Sequence, residues 1–534
     1  MCGIALIAGP GASQSLFGQM LGVLRPRGEV QEVSLADGLL AGTQRLRIVD
    51  PDNAAQPWIS ADERWLLCYN GEIYNHRALR GELRALGHVF RTESDTEVVM
   101  AAFAQWGDAA VQRLRGEFAI AISERSSGRT YLARDPLGVK PLYWSAARGR
   151  LHVASEIKAL VPVAAQVREV PPGSHGWAGP GREPAMAPYT DLLNPHRLAS
   201  EAPSLGDAAE AAAMVRAALA DSIKVRLDTG LPVGVILSGG LDSSVTLAHV
   251  RDMHPDCVAF TVGAPGSPDI AYASKIAADL GVRHEIIEIA PREIRLAEVR
   301  EAIRISELTE YGDIINAVVS VPLFRRVASM GIRVVLTGDG SDELFGGYSM
   351  YDQIGPAQVR RLFLHKLANL GRTELQRVDR TSMASGVEVR VPFLDPLLVD
   401  LAMRLPMALK VRDGTEKWIL RQAFAGLLPD YVRQRPKNPM SHASGLHERA
   451  RLYKPVFARI HRSFGYRLHE PVRRDFSVLL TQCGNDLDLA ISRAAARPDY
   501  SAREHARDLA GAVKWNAAAV MAGRSRRGLT SARP

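Results

Sequence analysis

The sequence predicts two domains of different fold class within its 534 residues. The first is α+β, with stacked antiparallel β-sheets and a few covering helices (αββα). The second is α/β, with a parallel sheet and a helical C-terminal part. Short alternating runs dominate the first two hundred residues, whereas helical patterns alternate with buried strands afterwards. Because one hydrophobic core rarely organises so long a chain, we expect domains at 1–190 and 211–534, joined by a linker at 191–210.

The predicted strands of the first domain are apolar or alternating runs separated by Gly, Asp and Asn turns. Helical periodicity interrupts them only briefly, at HRALRGELRALG and TEVVMAAFAQWG. This order is typical of antiparallel sheets covered by a few helices. The runs are RWLLCYNGEIYN, EFAIAISER, TYLARDP, PLYWSA and LHVASE.

Pro, Gly and Ser are concentrated between residues 171 and 206, and we place the connection between the domains there. Beyond it, DAAEAAAMVRAALADSIKVRL predicts a long helix and LPVGVILS predicts a buried strand. HEIIEIA and IRVVLTG are further strand candidates, with helices between them. This alternation is typical of a parallel sheet, and the C-terminal stretch reads as almost wholly helical.

Composition excludes several classes of partner. The chain is 46% hydrophobic and 23% charged, as soluble globular proteins are, and no apolar run approaches the roughly 20 residues that span a bilayer. The net charge of +8 is spread along the chain, without the motif or aromatic array that nucleic-acid binding needs. Four scattered cysteines without a CxxC pair argue against disulfides and zinc. We expect a cytoplasmic protein without nucleic-acid or membrane partners.

Cys2 follows the initiator methionine and precedes a short apolar run. Removal of Met1 would give Cys2 a free α-amine, whose ordinary pKa of roughly 7.7–8.0 lets it accept the thiol proton near neutrality. Nucleophile and base would then share one residue. The alternatives are chance and a lipoprotein cysteine, although the latter requires a basic and apolar segment upstream.

Residues 238–244, SGGLDSS, directly follow the predicted strand LPVGVILS. A glycine-rich turn between a strand and a helix presents free amides to an anion, and the helix dipole favours negative charge. The spacing differs from a Walker loop and no lysine follows, so the turn suits a pyrophosphate leaving group better than a transferred phosphoryl group. An ordinary serine-glycine turn is the alternative. Gly239 and Gly240 allow close approach, and Ser238, Ser243 and Ser244 offer hydroxyl donors.

A second loop, TGDGSDELFGGY at residues 337–348, follows the predicted strand IRVVL. Because ligands of open parallel sheets lie at the carboxyl ends of the strands, we expect both loops to flank one site. Asp242 and Asp342 could jointly hold Mg²⁺, a cation that prefers carboxylate oxygens. Asp339 is a further acid there, and Lys417 of GTEKWILR could neutralise pyrophosphate. The alternative is a solvated acidic loop.

These motifs together resemble the glutamine-dependent asparagine synthetase family, whose glutaminase half is a class II amidotransferase. The resemblance covers nearly the whole chain, and the motifs occur in the family's order. It implies a glutaminase domain followed by an ATP-pyrophosphatase-type synthetase domain. The motifs are MCGI, RLRIVD, YNGEIYNH, TESDTE, RDPLGVKPLYW, ASEIKAL, SGGLDSS, TGDGSDELFGGY, VEVRVPFLD and EKWILR.

The resemblance implies that Cys2 attacks the side-chain amide of glutamine, giving a thioester and ammonia. It assigns the substrate carboxylate to Arg45, because a guanidinium pairs bidentately with a carboxylate. An oxyanion would lie between the Asn70 side chain and the Gly71 N–H, and Glu72 and Asp95 would bind the α-ammonium. The implied glutamine-binding residues are Arg45, Ile48, Val49, Asn70, Gly71, Glu72 and Asp95.

The second domain is implied to adenylate a carboxylate with ATP and Mg²⁺, after which ammonia displaces AMP to give an amide. Asp339 stands where many members have glutamate, at a position tied to acyl-adenylate formation. RDPLGVKPLYW and ASEIKAL match segments near the interface that ammonia crosses. Family members are often homodimers, so a homodimer is also an expectation. The implied nucleotide-binding residues are Ile236, Ser238, Gly239, Gly240, Asp242, Ser243, Val262, Thr337 and Gly338, with Mg²⁺ on Asp242 and Asp342.

Three stretches depart from the family pattern. Residues 26–30 read PRGEV where HRGPD is usual, in a loop that helps to close the glutamine site. Val318 stands where aspartate-using members have arginine. The later stretch RPKNPMSHASG carries Asn438, Met440 and His442 in place of acid, aromatic and acid. We expect the last two stretches to face the acceptor, which leaves two hypotheses: L-aspartate with neutral drift, or, slightly favoured, a specialised-metabolite carboxylic acid.

Two other functional classes share part of this pattern. Ring-forming amide synthetases, such as β-lactam synthetases and lasso-peptide cyclases, generally lack a working glutaminase half, whereas this chain keeps Cys2 and Asn70. A catalytically dead binding or regulatory module would be expected to lose the nucleophile or a metal carboxylate, and Asp242 and Asp342 are both present. The sequence therefore favours an active glutamine-dependent ligase.

Overall fold

The structure is a computed structural model that describes residues 1–163, 166–193, 207–436, 444–466 and 476–495. Within these ranges, two six-stranded antiparallel sheets form the N-terminal region and one five-stranded parallel sheet forms the second region. The predicted fold class is thereby confirmed. Among the same residues, no helix combines the length and the apolar character needed to cross a membrane.

The antiparallel sheets have the strand orders β10-β8-β9-β1-β3-β2 and β12-β11-β7-β6-β5-β4. Every pairing within them is antiparallel. The strands are β1 (Cys2–Ala8), β2 (Val30–Ala36), β3 (Leu39–Arg45), β4 (Trp58–Ile59), β5 (Trp65–Ile73), β6 (Gly116–Glu124), β7 (Thr130–Arg134), β8 (Tyr143–Ala147), β9 (Arg150–Ala154), β10 (Arg168–Glu169), β11 (Ser174–Gly179) and β12 (Arg182–Pro188).

The two sheets stack face to face between helices, in the order αββα. Ile4 and Leu6 of β1 pack into the core between the sheets, while Ala5 and Ile7 pack against the helices on the outer face. Side chains alternate between the faces of a strand, so an entirely apolar strand is buried on both. The outer layers are α1 (Gln14–Val23) and α4 (Ile157–Leu160) on the first sheet, and α2 (His76–Ala85) and α3 (Asp95–Trp106) on the second.

The parallel sheet has the order β15-β14-β13-β16-β17, with parallel pairing throughout. Because β13 and β16 are neighbours, the loops that leave their carboxyl ends lie side by side. The strands are β13 (Val233–Ile236), β14 (Val258–Gly263), β15 (Arg283–Glu288), β16 (Val334–Leu336) and β17 (Glu388–Arg390).

Helices cover this sheet and make up most of the described C-terminal part. The long predicted helix is α5, capped by the Asp207 carboxylate, which accepts from the N–H of Ala209. The helices are α5 (Ala208–Arg226), α6 (Leu241–Met253), α7 (Pro268–Asp279), α8 (Leu296–Ser306), α9 (Tyr311–Ser329), α10 (Ser341–Phe345), α11 (Pro356–Asn369), α12 (Glu374–Met383), α13 (Pro396–Arg404), α14 (Met407–Lys410), α15 (Trp418–Ala423), α16 (Asp430–Arg433), α17 (His447–Arg451), α18 (Lys454–Ser463), α19 (Phe476–Gln482) and α20 (Leu487–Ala495).

The predicted linker at 191–210 falls largely on residues 194–206, outside the described ranges, so the domain boundaries stay predictions. Strand β12 ends at Pro188, before the predicted linker, and α5 begins at Ala208, within its last three residues. The four cysteines are free thiols, and Cys2, Cys68 and Cys257 are buried.

Candidate active sites

Cys2 opens β1 opposite Arg45 of β3 and is only 5% exposed. Its main-chain N–H donates to Asn70 Oδ1 at 2.8 Å, and its carbonyl accepts from Arg27 Nε at 3.2 Å. Burial raises the pKa of the Cys2 thiol, while the adjacent N-terminal ammonium opposes this. The main chain of Cys2 is therefore fixed on both sides, in a setting where forming the thiolate requires help.

Asn70 and Gly71 lie side by side in β5, next to Cys2. Asn70 is fully buried, and its Nδ2 has no hydrogen-bond partner within the described part of the chain. A Cβ on Gly71 would lie 2.3 Å from the carbonyl oxygen of Glu117, so only glycine fits against β6. Since buried donors rarely stay unpaired, the free Asn70 amide is suited to a developing oxyanion.

The other predicted glutamine-binding residues surround Cys2, but their charges are already engaged. Arg45 pairs with Glu32 at 3.1 Å, and Glu72 pairs with Arg390 at 3.4 Å. Asp95 accepts from Tyr69 Oη at 2.7 Å and from a backbone N–H. Burial raises the pKa of Glu72 well above its usual value, although Arg390 opposes this.

A cavity of about 570 Å³ adjoins this group and includes Ile48 and Val49 in its wall. Its lining comes from both regions of the chain, because residues 228–231, which precede β13, form one side. Arg77 and Asp228 pair across it at 2.9 Å. The wall of this cavity is therefore formed by both regions of the chain.

Strand β17 of the parallel sheet reaches the N-terminus of the chain. The Met1 ammonium donates to Glu388 Oε2 at 2.8 Å, and Arg390 pairs with both Glu388 and Glu72. Burial would raise the pKa of Glu388, but the Met1 ammonium and Arg390 outweigh it and lower that pKa to about 2. Glu388 therefore carries charge beside the nucleophile, a role that its motif VEVRVPFLD did not signal.

Buried ion pairs also join the two regions around Cys2. Arg27 pairs with Asp379 of α12 and with Glu156, each at 2.8 Å. Lys140 Nζ donates to the carbonyl of Val389 in β17 at 3.2 Å. Lys140 belongs to RDPLGVKPLYW and Glu156 to ASEIKAL, so both segments lie at the domain interface.

The loop after β13 has the geometry of an anion site. Gly239 has a φ of +69°, and a Cβ there would lie 2.5 Å from the backbone nitrogen of Ala273, so both conformation and space require glycine. The hydroxyls of Ser238 and Ser243 lie 3.2 Å apart at the N-terminus of α6. Ser244 Oγ is buried and lacks a hydrogen-bond partner among the described residues. Amides and hydroxyls thus converge on one turn.

Asp242 and Asp342 converge on the ammonium of Lys417. Lys417 Nζ lies 2.5 Å from Asp242 Oδ2 and 2.6 Å from Asp342 Oδ1. A Cβ on Gly347 would lie 1.8 Å from Asp342 Oδ1 and 2.4 Å from Lys417 Cε. Two carboxylates from adjacent loops that already share one cation fit a Mg²⁺ ion, which prefers such oxygens.

A cavity of about 210 Å³ opens between these loops. Predicted nucleotide residues form part of its wall, whereas Val262 lies buried within β14. Other lining residues come from α9, α12 and the end of the acidic loop, and the sequence motifs did not indicate them. The predicted lining residues are Ile236, Ser238, Asp242, Ser243, Thr337, Gly338, Asp339 and Asp342, and the unpredicted ones include Asn316, Ser320, Tyr348, Glu374 and Arg377.

Comparisons with known proteins match both regions. A family model described as glutamine amidotransferase domain matches residues 1–172, and one described as asparagine synthase matches residues 214–357 and 354–470. The chain is 36% identical over 445 residues to asparagine synthetase B of Escherichia coli, covering 79% of this chain and 78% of that protein. The chain belongs to the glutamine-hydrolysing asparagine synthetase family.

Two other members of the asparagine synthetase family show similar agreement. Asparagine synthetase 1 of Bacillus subtilis is 29% identical over 510 residues, covering 74% of this chain and 78% of that protein. Asparagine synthetase 3 of Arabidopsis thaliana is 32% identical over 474 residues, covering 83% of this chain and 79% of that protein.

Two of the three stretches that depart from the family pattern lie within the described residues, and the expectation for Val318 was wrong. Val318 was expected to face the acceptor, but it is buried in the hydrophobic core. From the same helix, Asn316 and Ser320 line the cavity. Asn438, Met440 and His442 lie outside the described residues.

Among the described residues that line this cavity, the basic side chain is that of Arg377 from α12. Its Nη2 donates to Asp339 Oδ1 at 2.8 Å, and its Nη1 donates to Ser320 Oγ at 3.3 Å. Glu374, one turn earlier on α12, accepts from the hydroxyl of Tyr348. The wall formed by α12 therefore presents one basic and one acidic side chain to the cavity.

The PRGEV stretch forms part of the domain interface. Arg27 is buried in the ion pairs described above, and a Cβ on Gly28 would lie 2.4 Å from the backbone of Arg45. Glu29 pairs with Arg47 at 3.3 Å and also with Arg333 of the second region. The two residues retained from the family pattern are thus the ones that packing requires.

Proposed function

We propose that the chain is an ATP-consuming amidotransferase that takes nitrogen from glutamine at Cys2 and transfers it to a carboxylic acid in the second domain. One observation carries the proposal: a buried thiol beside a free amide donor is joined by a buried ion pair, Arg27 with Asp379, to the region that holds a nucleotide-type loop, two acids and a lysine. The names of the relatives support the same reaction.

In the first half-reaction, removal of Met1 leaves the Cys2 α-amine, which takes the thiol proton. The thiolate attacks the glutamine side-chain amide, and the Asn70 Nδ2 and the Gly71 N–H receive the oxyanion. The Cys2 α-ammonium returns its proton to the amide nitrogen, the C–N bond breaks, and ammonia leaves a thioester behind. Water then hydrolyses the thioester to glutamate. Met1 must leave first, because while it is attached the Cys2 nitrogen is an amide and cannot act as a base.

In the second half-reaction, the acceptor carboxylate attacks the α-phosphorus of ATP and pyrophosphate departs toward the loop at residues 238–244. Mg²⁺, when bound by Asp242 and Asp342, would neutralise phosphate charge. Lys417 then leaves its two carboxylates for the departing pyrophosphate. Ammonia from Cys2 crosses the interface between the domains and displaces AMP from the acyl-adenylate, and an amide forms.

We propose L-aspartate as the acceptor. Besides the aspartates of the two loops, helix α12 adds Arg377 and Glu374 to the wall of the cavity, a cation and an anion that suit the carboxylate and the ammonium of an amino acid. The position of Val318 in the core removes one of the two reasons for expecting another acid. The changed residues at 438, 440 and 442 keep a specialised carboxylic acid as the second candidate. Neither a ring-forming ligase nor a dead binding module gains support from the site.

The test is glutamine-dependent release of AMP and pyrophosphate with L-aspartate as the sole acceptor, beside a Cys2→Ala variant supplied with glutamine or ammonium. We expect asparagine from the wild type, and from the variant with ammonium only. Glutamine hydrolysis without AMP release from aspartate would overturn aspartate as the acceptor. Equal glutamine use by both proteins would overturn Cys2 as the nucleophile.

A further inference from the structure

The side chain of Gln56 lies against the sulfur of Cys2. Gln56 precedes β4 and is 4% exposed, and its Nε2 lies 3.9 Å from Cys2 Sγ, within reach of an N–H···S hydrogen bond. No motif of the sequence pointed to this residue. It is the neighbour of the nucleophile that the mechanism above does not use.

The orientation of the Gln56 amide is fixed by its other partners. Its Oε1 accepts from the backbone N–H of Tyr69 at 2.9 Å, which only the oxygen can do. Its Nε2 donates one proton to Thr96 Oγ1 at 3.3 Å. Turning the amide over would set two donors against each other at Tyr69, so Nε2 and its second proton must face the sulfur.

The backbone of Gln56 is held as well. Its N–H donates to Glu32 Oε2 at 2.7 Å, and the same carboxylate pairs with Arg45. Strands β2, β3 and β5 and helix α3 thus all contribute to the placement of one amide. Such support is typical of a group whose position matters for chemistry.

The Cys2 thiolate needs a donor of this kind. The thiol is buried, and burial disfavours its charged form. Asn70 offers its Nδ2 to the oxyanion of the substrate, so it cannot also serve the sulfur. A neutral amide at the sulfur stabilises the thiolate without repelling or attracting the charged ends of glutamine.

We infer that Gln56 is a catalytic residue of glutamine hydrolysis, whose Nε2 donates a hydrogen bond to the Cys2 thiolate. The two side-chain amides then have separate acceptors: Asn70 donates to the oxyanion of the substrate, and Gln56 donates to the sulfur of Cys2. The distance is 3.9 Å with the sulfur as a thiol, and it shortens when the sulfur becomes charged. This inference rests on Cys2 as the proposed nucleophile.

The experiment compares wild type with Gln56→Glu and Gln56→Met by the rate of Cys2 alkylation with iodoacetamide across pH, followed by mass spectrometry of the N-terminal peptide. Glutamate keeps an acceptor for Tyr69 but sets a like charge against the thiolate, and methionine keeps the length without a donor. The other charged groups that face the sulfur are the N-terminal amine, Arg45 and Asp95, and they stay unchanged.

We expect the alkylation midpoint to rise by about one pH unit or more in Gln56→Glu and by less in Gln56→Met. Glutamine-dependent turnover should fall about tenfold or more, while ammonia-dependent AMP release stays within about twofold of the wild type. Gln44→Glu is the matched control, because Gln44 is equally buried but bonds Leu21 and Gln31 instead. Its Cys2 midpoint should equal that of the wild type.

A Cys2 midpoint that is unchanged in both Gln56 variants would overturn the inference, even if turnover falls. If Gln56→Glu fails to fold, Gln56→Met decides the question alone. Alkylation reads the thiol itself and needs no glutamine, so it separates this inference from the proposed function. A raised midpoint in an enzyme that does not hydrolyse glutamine would support the hydrogen bond to the sulfur and refute the assigned reaction.

Discussion

The two reaction centres of the molecule are built in different ways. Cys2 is held by hydrogen bonds of its own main chain, one of them to the neutral side-chain amide of Asn70. The Nδ2 of that amide, which we assign to the substrate oxyanion, has no partner among the described residues. Around the nucleotide loops, the functional charges pair with one another, Lys417 with Asp242 and Asp342, and Arg377 with Asp339. In the first centre the nucleophile itself is held through its main chain, although Arg45 and Glu72 beside it are also paired. In the second centre the acids and bases pair with one another and must exchange partners when its ligands bind.

This difference follows from the charge of the substrates. A buried thiol needs fixed donors that cost no reorganisation at the moment of reaction. The second centre brings several carboxylates together, and unpaired buried charges are expensive. Pairing with Lys417 and Arg377 stabilises them until the phosphates and the Mg²⁺ that we propose for this site take over.

The largest effect is expected from Asn70→Ala. Loss of the free Nδ2 donor should lower the kcat of glutamine hydrolysis by about 10²–10³-fold, as removal of one oxyanion donor does elsewhere. Ammonia-dependent AMP release should stay near the wild-type rate, because the second centre does not use Asn70. Steady-state kinetics with each nitrogen source make the comparison. Equal losses with both sources would show that the centres are not independently organised.

Gly347→Ala is expected to have a smaller effect, and on the other reaction: it should slow ATP-dependent chemistry and spare glutamine hydrolysis. The new methyl group would lie 1.8 Å from Asp342 Oδ1, so the acid and Lys417 must move. A displacement of that size costs roughly 10²-fold in a positioned reaction, and we expect this loss in ATP-dependent pyrophosphate release. Glutamine hydrolysis should change little. Gly355→Ala is the control, since a Cβ there meets no atom within 4 Å, and pyrophosphate release as low as in Gly347→Ala would count against the packing argument.

The smallest effect concerns Lys410, a buried lysine in the second region that has no carboxylate partner among the described residues. Burial lowers the pKa of Lys410 to about 7, with Arg360 contributing, and its Nζ lies 4.5 Å from the Phe363 ring centroid. The folded state therefore disfavours the protonated form. The resulting loss of stability grows as pH falls from the ordinary lysine pKa toward 7, and it persists below that.

Lys410→Met should therefore raise the melting temperature by about 2–4 °C at pH 6.5 and by less near pH 10. Calorimetry at both pH values measures this. Lys366→Met is the contrast: burial alone would lower the pKa of Lys366, but Glu374 and Glu343 raise it. That variant should melt at a lower temperature. A gain at Lys410 that does not depend on pH would exclude the buried charge as its cause.

The parts of this account that the sequence could predict are local. Alternating runs predicted many of the strands, and the glycine-rich and acidic loops after two strands predicted residues that the structure brings together around one cavity. The strand β1 lacks alternation because both of its faces are buried, so periodicity could not identify it. Residues whose role depends on register or on contacts far along the chain, such as Gln56, Arg377 and Glu388, carry no local signal.

Val318 shows how a family position can mislead. Residues two apart on a helix point about 200° apart around its axis, so neighbours at 316 and 320 that face the cavity turn 318 toward the opposite side. The match to the family pattern identified the sequence position, but it could not show which side of the helix residue 318 occupies.

The most direct test of the central claim follows nitrogen from one centre to the other. The enzyme is supplied with ATP, L-aspartate and [amide-¹⁵N]glutamine in the presence of excess unlabelled ammonium, and the isotope content of the amide product is measured by mass spectrometry. We expect the amide product to carry a ¹⁵N fraction well above that of the free ammonium in solution. An amide nitrogen that matches the bulk ammonium would contradict it.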